Sequence, residues 1–537
     1  MKKNDYLYHP YKAQRMSTIS KKGMVATSQP LASQAGLDML KKGGNAIDAA
    51  IATAAALTVV EPTSNGIGGD AFALVWVKDK LYGLNSSGHS PSSISIDDLR
   101  SRGYEAIPKY GLTPVTVPGA PGAWAELSRR FGKLPLTEVL APAIDYANNG
   151  FPVSPVLGKF WHTGVEKFKT ELKGEEFEHW FETFAPKGKA PRIGELWKSQ
   201  NHADTLRKIA ESNAEAFYHG ELADKIDAFS RKHNGYIRKE DLINFKPEWV
   251  DPISVNYRGY DVWEIPPNGQ GLVALSALNI MNGFNHLHKE DVTTYHCQIE
   301  AMKLAFADGQ KFIADANHMN VEVDQLLSSH YAQERRALIG EEALVPEAGV
   351  PPKGGTVYLA AADEEGNMVS FIQSNYMGFG AGVVIPGTGI SLQNRGHNFS
   401  MDPNHVNALG GNKRSYHTII PGFLTKDNKA VGPFGVMGGF MQPQGHMQVI
   451  MNTIDFNLNP QAALDAPRWQ WMKEKTVYVE PDFPSHIAQA LYRKGHEIEV
   501  QLNGDGFGRG QMILRDENTG VLFGGTESRT DGTISAY

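Results

Sequence analysis

The sequence predicts an α+β protein, and three observations carry that reading. Two pairs of apolar, strand-like segments, near 71–85 and 356–374, are each closed by a tight polar turn. An alanine-rich apolar run, Ala49 to Val60, lies between clear helix start and stop signals. The stretch between about 120 and 345 carries mostly helical spacing of its apolar residues.

Taken in order, residues 1–22 are polar and read as a lead-in arm, and Met24 to Thr27 reads as a short strand. Ser33 to Lys42 has helical spacing with Leu37 and Leu40 on one face, and Gly43-Gly44 stops it. Asn45 is placed to cap the next helix, which runs through the alanines and ends near Pro62. That helix is too short to span a bilayer and contains Thr53 and Thr58, so it reads as buried. Gly66-Ile67-Gly68-Gly69-Asp70 is a tight turn. It follows a helix and a proline-containing turn, which is not the setting of a dinucleotide-binding fingerprint. Ala71 to Val77 and Leu81 to Asn85 pair across Lys78-Asp79-Lys80. Trp124 to Phe131, Leu136 to Asn148 and Thr293 to Asp308 read as helices. Ile339 to Gly355 reads as a solvated, flexible connector, with Glu341-Glu342, Pro346, Pro351-Pro352 and Gly354-Gly355. It ends abruptly in an apolar strand, Thr356 to Asp363. Glu365-Gly366-Asn367 makes a turn, and Met368 to Ser374 returns.

Bulk properties exclude several classes. The 537 residues are 41% hydrophobic and 21% charged, as in ordinary globular proteins. A net charge of −7 argues against a nucleic-acid partner. The single cysteine, Cys297, allows no internal disulfide and no CxxC metal or redox pair. The first ten residues hold two lysines and no apolar core, so no secretory leader is read, and a cytoplasmic protein without membrane attachment is expected. No GxSxG elbow, P-loop or HExxH is present.

Gly354-Gly355-Thr356, followed by Asp363, Gly366-Asn367 and the return strand, resembles the start of the small subunit in γ-glutamyltransferases. Other blocks agree in order: Ala26-Thr27 through Gly43-Gly44-Asn45-Ala46-Ile47-Asp48-Ala49-Ala50, and Glu61-Pro62 with Gly66-Ile67-Gly68-Gly69. Pro114 to Gly119, Asn412-Lys413-Arg414, and Gly438-Gly439 followed by Ala466-Pro467-Arg468 complete the set. Their joint order, from about Met24 to Tyr537, is far more specific than any one of them. The resemblance implies a four-layer αββα sandwich of the N-terminal-nucleophile hydrolase type. It implies a proenzyme that cuts itself before Thr356 into a large subunit, 1–355, and a small subunit, 356–537, which remain parts of one globule. No cofactor or metal is expected. The expected partners are the other subunit and a small acyl-amide substrate, with a homo-oligomer left open.

The chemistry explains why a threonine must become a chain terminus. A threonine hydroxyl is a poor nucleophile without a base. An α-amino group, with a pKa of about 7.7–8.0, can be that base. Within a peptide bond Thr356 has no such amine, so the bond from Gly355 must break first. The expected route is attack of the Thr356 hydroxyl on the Gly355 carbonyl, giving an ester that water opens; Gly354 and Gly355 tolerate the contorted approach. Resemblance puts a threonine at Ser374 whose hydroxyl bonds the nucleophile, and it assigns the Gly438 and Gly439 N–H groups to the oxyanion hole. It also places Tyr376, Arg395, Asn398, His417 and Thr418 toward substrate. Thr418 keeps a hydroxyl where many members have a serine, whereas His417 is a departure to which no chemistry is assigned.

The block Leu84 to Pro91 holds Ser87, with His89 beside it, where typical members clamp the substrate α-carboxylate with arginine. Arg395 either restores a cation from another wall or pairs with a protein carboxylate on the surface. The segment Ser400 to Gly411 is short where lidded members carry an insertion, so an open groove is expected, as in cephalosporin-acylase-like homologues. The leading expectation is a γ-glutamyl hydrolase/transferase acting on glutathione or related amides. The alternative is an acylase for glutaryl or other side chains. A third reading is a non-enzymatic binding protein that stays uncut.

Overall fold

The structure, a computed structural model, describes residues 15–285, 287–346 and 355–537. The expected strands assemble into two seven-stranded antiparallel sheets. The first runs in the order Thr533–Ala536, Gly23–Thr27, Gly355–Asp363, Met368–Tyr376, Asp70–Val77, Lys80–Ser86, Glu248–Val250. The second runs Thr18–Ser20, Leu522–Thr526, Arg509–Arg515, Lys429–Met437, Gly422–Lys426, Tyr260–Glu264, Ile253–Tyr257.

Alternation of side chains along these strands builds three apolar cores and therefore four layers. Val357, Leu359 and Ala361 face outward with Ala71, Ala73 and Val75, onto the buried helices Pro30–Lys41 and Ala46–Val60. Tyr358, Ala360 and Ala362 face the other way with Phe72, Leu74 and Trp76, and meet Phe423, Met437 and Ile513 of the second sheet. Phe434, Val436, Leu424 and Met512 face the far side, onto Gly271–Met281, Val292–Phe312 and Met441–Ile454. The architecture is αββα. Where the sheets cross, Gly435 lies under the Tyr358 ring, and a Cβ there would stand 2.4 Å from it.

Local signals behave as expected near the hairpin that begins at Gly355. The Asn45 side chain accepts from the Ile47 and Asp48 N–H groups at 3.0 and 3.1 Å, and Asp48 Oδ2 accepts from Asn45 N, a reciprocal cap. Asp363 Oδ2 accepts from Ala46 N at 2.8 Å while Asp363 Oδ1 accepts from Asn367 N at 3.0 Å. One carboxylate thus closes the hairpin turn and fastens it to the start of the buried helix.

Three expectations change. Glu248–Val250, Ile253–Tyr257 and Tyr260–Glu264 are strands inside the stretch read as mostly helical. Their signal was the Arg258-Gly259 pair, both at positive φ (53° and 85°), which makes a two-residue hairpin turn. The helix expected over Leu136 to Asn148 is two, Leu136–Val139 and Ala141–Asn149, because Pro142 has no N–H for a continuous ladder. The connector is solvated only in part where it is described: Gly340, Glu341, Glu342 and Val345 are exposed, but other residues are tied down. Ala343 is buried and donates to Lys494 O at 2.7 Å, and Leu344 donates to Glu300 Oε2 at 2.8 Å. The connector's residues 347–354, including Gly354, and residues 1–14 of the lead-in arm lie outside the described residues. Among the described residues, no helix is long and apolar enough to cross a membrane.

Replacing Gly435 by alanine drives a methyl group into the Tyr358 ring, and the expected cost is about 1–3 kcal/mol of stability. A urea titration reads it as a lower midpoint, and an unchanged midpoint would mean that the sheets do not meet as closely as described.

Candidate active site

The end of the intersheet space is where the chemistry-bearing residues converge. Ser374 continues the inward-facing register of Ile372, and Asp70 that of Phe72; the two are paired directly across neighbouring strands. Gly355 pairs with Tyr376 and Val357 with Gln373, so two residues of the return strand, Ser374 and Asn375, stand opposite the single residue Thr356 in a β-bulge. The bulge interrupts regular pairing at this point, and the Thr356 and Ser374 hydroxyls meet there. Gly355 passes close to the Gly378 backbone, and a Cβ at 355 would stand 3.1 Å from Gly378 N.

Four groups meet at the Ser374 oxygen. The Thr356 hydroxyl donates to Ser374 Oγ at 3.1 Å, the Tyr376 N–H at 2.8 Å and Arg395 Nη2 at 3.4 Å. Ser374 passes its own proton to the Gly355 carbonyl oxygen at 2.8 Å. The two shorter donors, Tyr376 N–H and Thr356, fill its two lone pairs and polarise its O–H bond toward that carbonyl, with the Arg395 cation beside them. Tyr376 reaches this position with φ at +75°, a backbone state that costs a bulky residue energy and is held by its surroundings. The arrangement can make one carbonyl more electrophilic while a neighbouring hydroxyl sheds its proton along the same path.

Arg395 is buried, 1% exposed, which removes one of the two alternatives left by the sequence: it is not paired at the surface. Nη1 donates to Thr418 Oγ1 at 2.6 Å, the guanidinium lies 4.3 Å from the Tyr376 ring centre, and Nε has no acceptor. Burial pushes Arg395 down to about 10, which leaves it cationic at neutral pH. The Tyr376 hydroxyl donates to Asn398 Oδ1 at 3.1 Å, and Asn398 Nδ2 to the Tyr416 carbonyl at 2.6 Å.

Asp70, absent from the sequence-based set, holds the walls together. Its Oδ1 accepts from Gly88 N at 3.1 Å and Gln393 Nε2 at 2.7 Å, and its Oδ2 faces His417 Nε2 at 3.0 Å. One carboxylate therefore ties down the loops that carry Ser87, Arg395 and Thr418. The available signal was an acidic residue at the head of an otherwise apolar, buried strand. Burial pushes Asp70 up to about 7, with Arg395 opposing. Burial, then Arg395 and Arg414, hold His417 well below the usual imidazole range. The Ile419 N–H points at His417 Nδ1 at 3.4 Å, which leaves the proton of the neutral ring on Nε2, facing Asp70. His417 is thus a bridge between two walls.

Gly438 and Gly439 follow the strand Lys429–Met437, at φ 141° and 61°, and lead into the helix Met441–Ile454. Their N–H groups lie at the positive end of a fourteen-residue helix, where negative charge is favoured. Gln270 Nε2 donates to Gly439 O at 2.9 Å and also to Thr418 O, which joins this turn to the Arg395 cluster. Ser87 and His89 do not join the cluster through their side chains. The Ser87 hydroxyl is engaged with Asn85 and Asn268, and half-buried His89 feels Arg414. Their loop contributes the Gly88 N–H instead.

Among the described residues, His296, Glu300 and His496 could in principle ligate a metal. The imidazole nitrogens are 2.9 Å apart, a hydrogen bond, and Lys303 Nζ stands 2.8 Å from Glu300 Oε1 in the cation's place. Lys303 and His296 also bond the carbonyls of Leu344 and Gly340, so the group fastens residues 340–344 to the helix Val292–Phe312.

Comparison with known proteins identifies the family and the fold. The family model described as "Gamma-glutamyltranspeptidase" matches residues 32–537. The chain is 37% identical to the "Glutathione hydrolase-like YwrD proenzyme" of Bacillus subtilis over 528 residues, covering 96% of this chain and 98% of that protein. It is 34% identical to the "Oxamate amidohydrolase proenzyme" of Klebsiella pneumoniae, covering 97% and 99%. The crystal structure of a cephalosporin acylase from Bacillus halodurans superposes with a TM-score of 0.96 at 66% identity, covering 99% of both chains.

If Ser374 feeds a proton to the Gly355 carbonyl, Ser374→Ala should slow breakage of the 355–356 bond by roughly 100-fold or more, and Ser374→Thr should largely restore it. Gel densitometry of freshly made protein follows this. Breakage of Ser374→Ala at the wild-type rate would remove Ser374 from the chemistry.

Proposed function

The chain belongs to the γ-glutamyltranspeptidase family, and from that premise we propose that it is a self-processing amidohydrolase whose nucleophile is Thr356. The observation that carries this reading is the contact set at Ser374. Its hydroxyl accepts from Thr356 at 3.1 Å and donates to the Gly355 carbonyl at 2.8 Å.

In the uncut chain Thr356 Oγ1 attacks the Gly355 carbonyl carbon. Its proton passes to Ser374 as Ser374 protonates the developing oxyanion, so no free base is needed. The Gly355–Thr356 C–N bond then breaks, the nitrogen takes up a proton, and an ester joins Gly355 to the Thr356 oxygen. Water opens the ester and leaves a Gly355 carboxylate and a free Thr356 α-amine. The fragments 1–355 and 356–537 stay together because both sheets contain strands of both; Gly23–Thr27, for example, lies between Thr533–Ala536 and Gly355–Asp363.

The freed amine is now the base. It takes the Thr356 hydroxyl proton as Oγ1 attacks a substrate amide. The oxyanion is received by the Gly438 and Gly439 N–H groups, the amine product leaves, and water or another amine releases the acyl group. Two donor readings follow. The family and the Bacillus subtilis relative support γ-glutamyl amides such as glutathione. Ser87 in place of an arginine, and the acylase at 66% identity, support an acylase for other side chains.

Thr356→Ala is expected to remain a single full-length chain by intact mass and to lose amidase activity; an active, uncut Thr356→Ala protein would end this reading. For the wild type, kcat/KM should rise with pH through about 7.7–8.0 or somewhat below, where the α-amine loses its proton. Asp70, near 7, adds a fall on the acid side as its carboxylate is neutralised. Self-cleavage, which uses no amine, should lack the α-amine limb. A shared pH profile for both reactions would contradict the switch of base.

A further inference from the structure

We propose that Glu264 and His446 form a buried brace that aims the Gly438 and Gly439 N–H groups, and that the brace serves turnover at the expense of stability. Both are positioning residues, since neither touches the reacting atoms. The proposal rests on Thr356 being the nucleophile and on those N–H groups receiving the oxyanion.

Stability alone is a poor reason for this pair. Both side chains are 0% exposed. Glu264 continues the register of Val262, so it faces the core between the second sheet and its helices, and the Phe434 ring centre lies 5.1 Å from the His446 imidazole. His446 Nδ1 and Glu264 Oε1 are 2.6 Å apart. The remaining two atoms, Glu264 Oε2 and His446 Nε2, have no hydrogen-bond partner among the described residues. Burial pushes the Glu264 carboxyl above the usual carboxylate range, with His446 opposing. One hydrogen bond with an orphaned polar atom at each end does not offset taking an acid and an imidazole out of water. An apolar pair of the same size would fill the core at least as well.

What the pair does supply is direction. Glu264 ends the strand Tyr260–Glu264, and the chain runs on to Gln270, whose Nε2 holds the Gly439 and Thr418 carbonyls. Glu264 also lies against the start of the helix Gly271–Met281, where a Cβ at Gly271 would stand 2.6 Å from its Cβ. His446 belongs to the helix Met441–Ile454, which opens just after the Gly438-Gly439 turn. The turn is therefore gripped from two sides, by the Gln270 loop and by its own helix, and the brace joins those two grips behind it.

The helix has other directional ties, but they run elsewhere. Gln444 and Gln448 reach the carbonyls of Trp471 and Trp469, and Gln442 accepts from Ile420 N. Among the described hydrogen bonds of this helix, that of His446 alone reaches the strand leading to Gln270. Apolar packing is non-directional, whereas a hydrogen bond fixes both distance and angle. Oxyanion donors need that precision, because they act only when aimed to within about 0.5 Å and roughly 10–20°.

A thermodynamic cycle separates a brace from a filler. Glu264→Met and His446→Leu are made singly and together. Each protein is compared with wild type for its thermal midpoint, its rate of breakage at 355–356, and kcat and KM of the cleaved form on an acyl p-nitroanilide that the wild type hydrolyses. Each single change leaves one polar group buried without its partner and should lower the midpoint. The double variant should regain the wild-type midpoint or exceed it. It should also break at 355–356 at the wild-type rate, because Ser374 protonates that oxyanion. Its kcat should nevertheless stay about 10-fold or more below wild type, with KM within about twofold. A double variant whose kcat returns with its midpoint would overturn the proposal. So would one that fails to fold or melts below wild type, since the pair would then serve stability. Failure of the underlying reading looks different: the wild-type chain itself would show no break at 355–356 by mass.

Discussion

The position of one serine oxygen constrains everything else in this molecule. Ser374 Oγ lies between the hydroxyl of Thr356 and the carbonyl of Gly355, and each contact is a hydrogen bond length. Holding it there takes a strand at each side, a bulge at Ser374-Asn375 opposite Thr356, and a tyrosine backbone at positive φ that points its N–H back. The two-sheet sandwich is what makes such a point stiff. Both strands of the hairpin are buried on both faces, with the alanine-rich helix behind and the second sheet in front. A nucleophile in a mobile loop would lack this definition.

Electrostatics decides which groups around that point are charged. Burial favours the neutral form of acids and bases alike, yet Arg395 keeps its charge because its intrinsic affinity for the proton is so high. His417 has no such reserve and is neutral, so it donates one hydrogen bond to Asp70 and does not compete as a second cation. Asp70 sits between the two outcomes. Its carboxylate collects N–H donors from three loops, and those donors offset only part of the cost of its burial, which still raises it to about 7. The site thus holds one lasting cation, Arg395, beside a carboxylate that titrates near neutrality.

Much of the fold was legible, for physical reasons that differ by element. The capped alanine-rich helix and the two hairpins announced themselves through Asn45, the Lys78-Asp79 and Gly366 turns, and alternation. The strands between Glu248 and Glu264 did not, because they are short and lie in a stretch dominated by helical spacing. Around the site, Thr356, Ser374, Tyr376, Arg395 and Thr418 were picked out and do lie together. Asp70 was read only as part of a turn, since a single acidic residue beside glycines carries no pattern of its own. The loop of Ser87 and His89 supplies a backbone N–H, and sequence alone does not say when the backbone of a segment matters more than its side chains. The burial of Arg395 likewise depends on tertiary packing, which decides between a surface ion pair and a lone interior cation.

The αββα sandwich also explains how a chain can cut itself and remain one body. The proposed break falls at the head of a central strand, one of whose two neighbours, Gly23–Thr27, comes from the other side of the break. The most direct test of the central claim is N-terminal sequencing of the purified, active wild-type protein. The account requires a second terminus reading Thr-Val-Tyr-Leu-Ala, from residue 356, in proportion to activity. Full activity in material whose only terminus is that of the intact chain would contradict it.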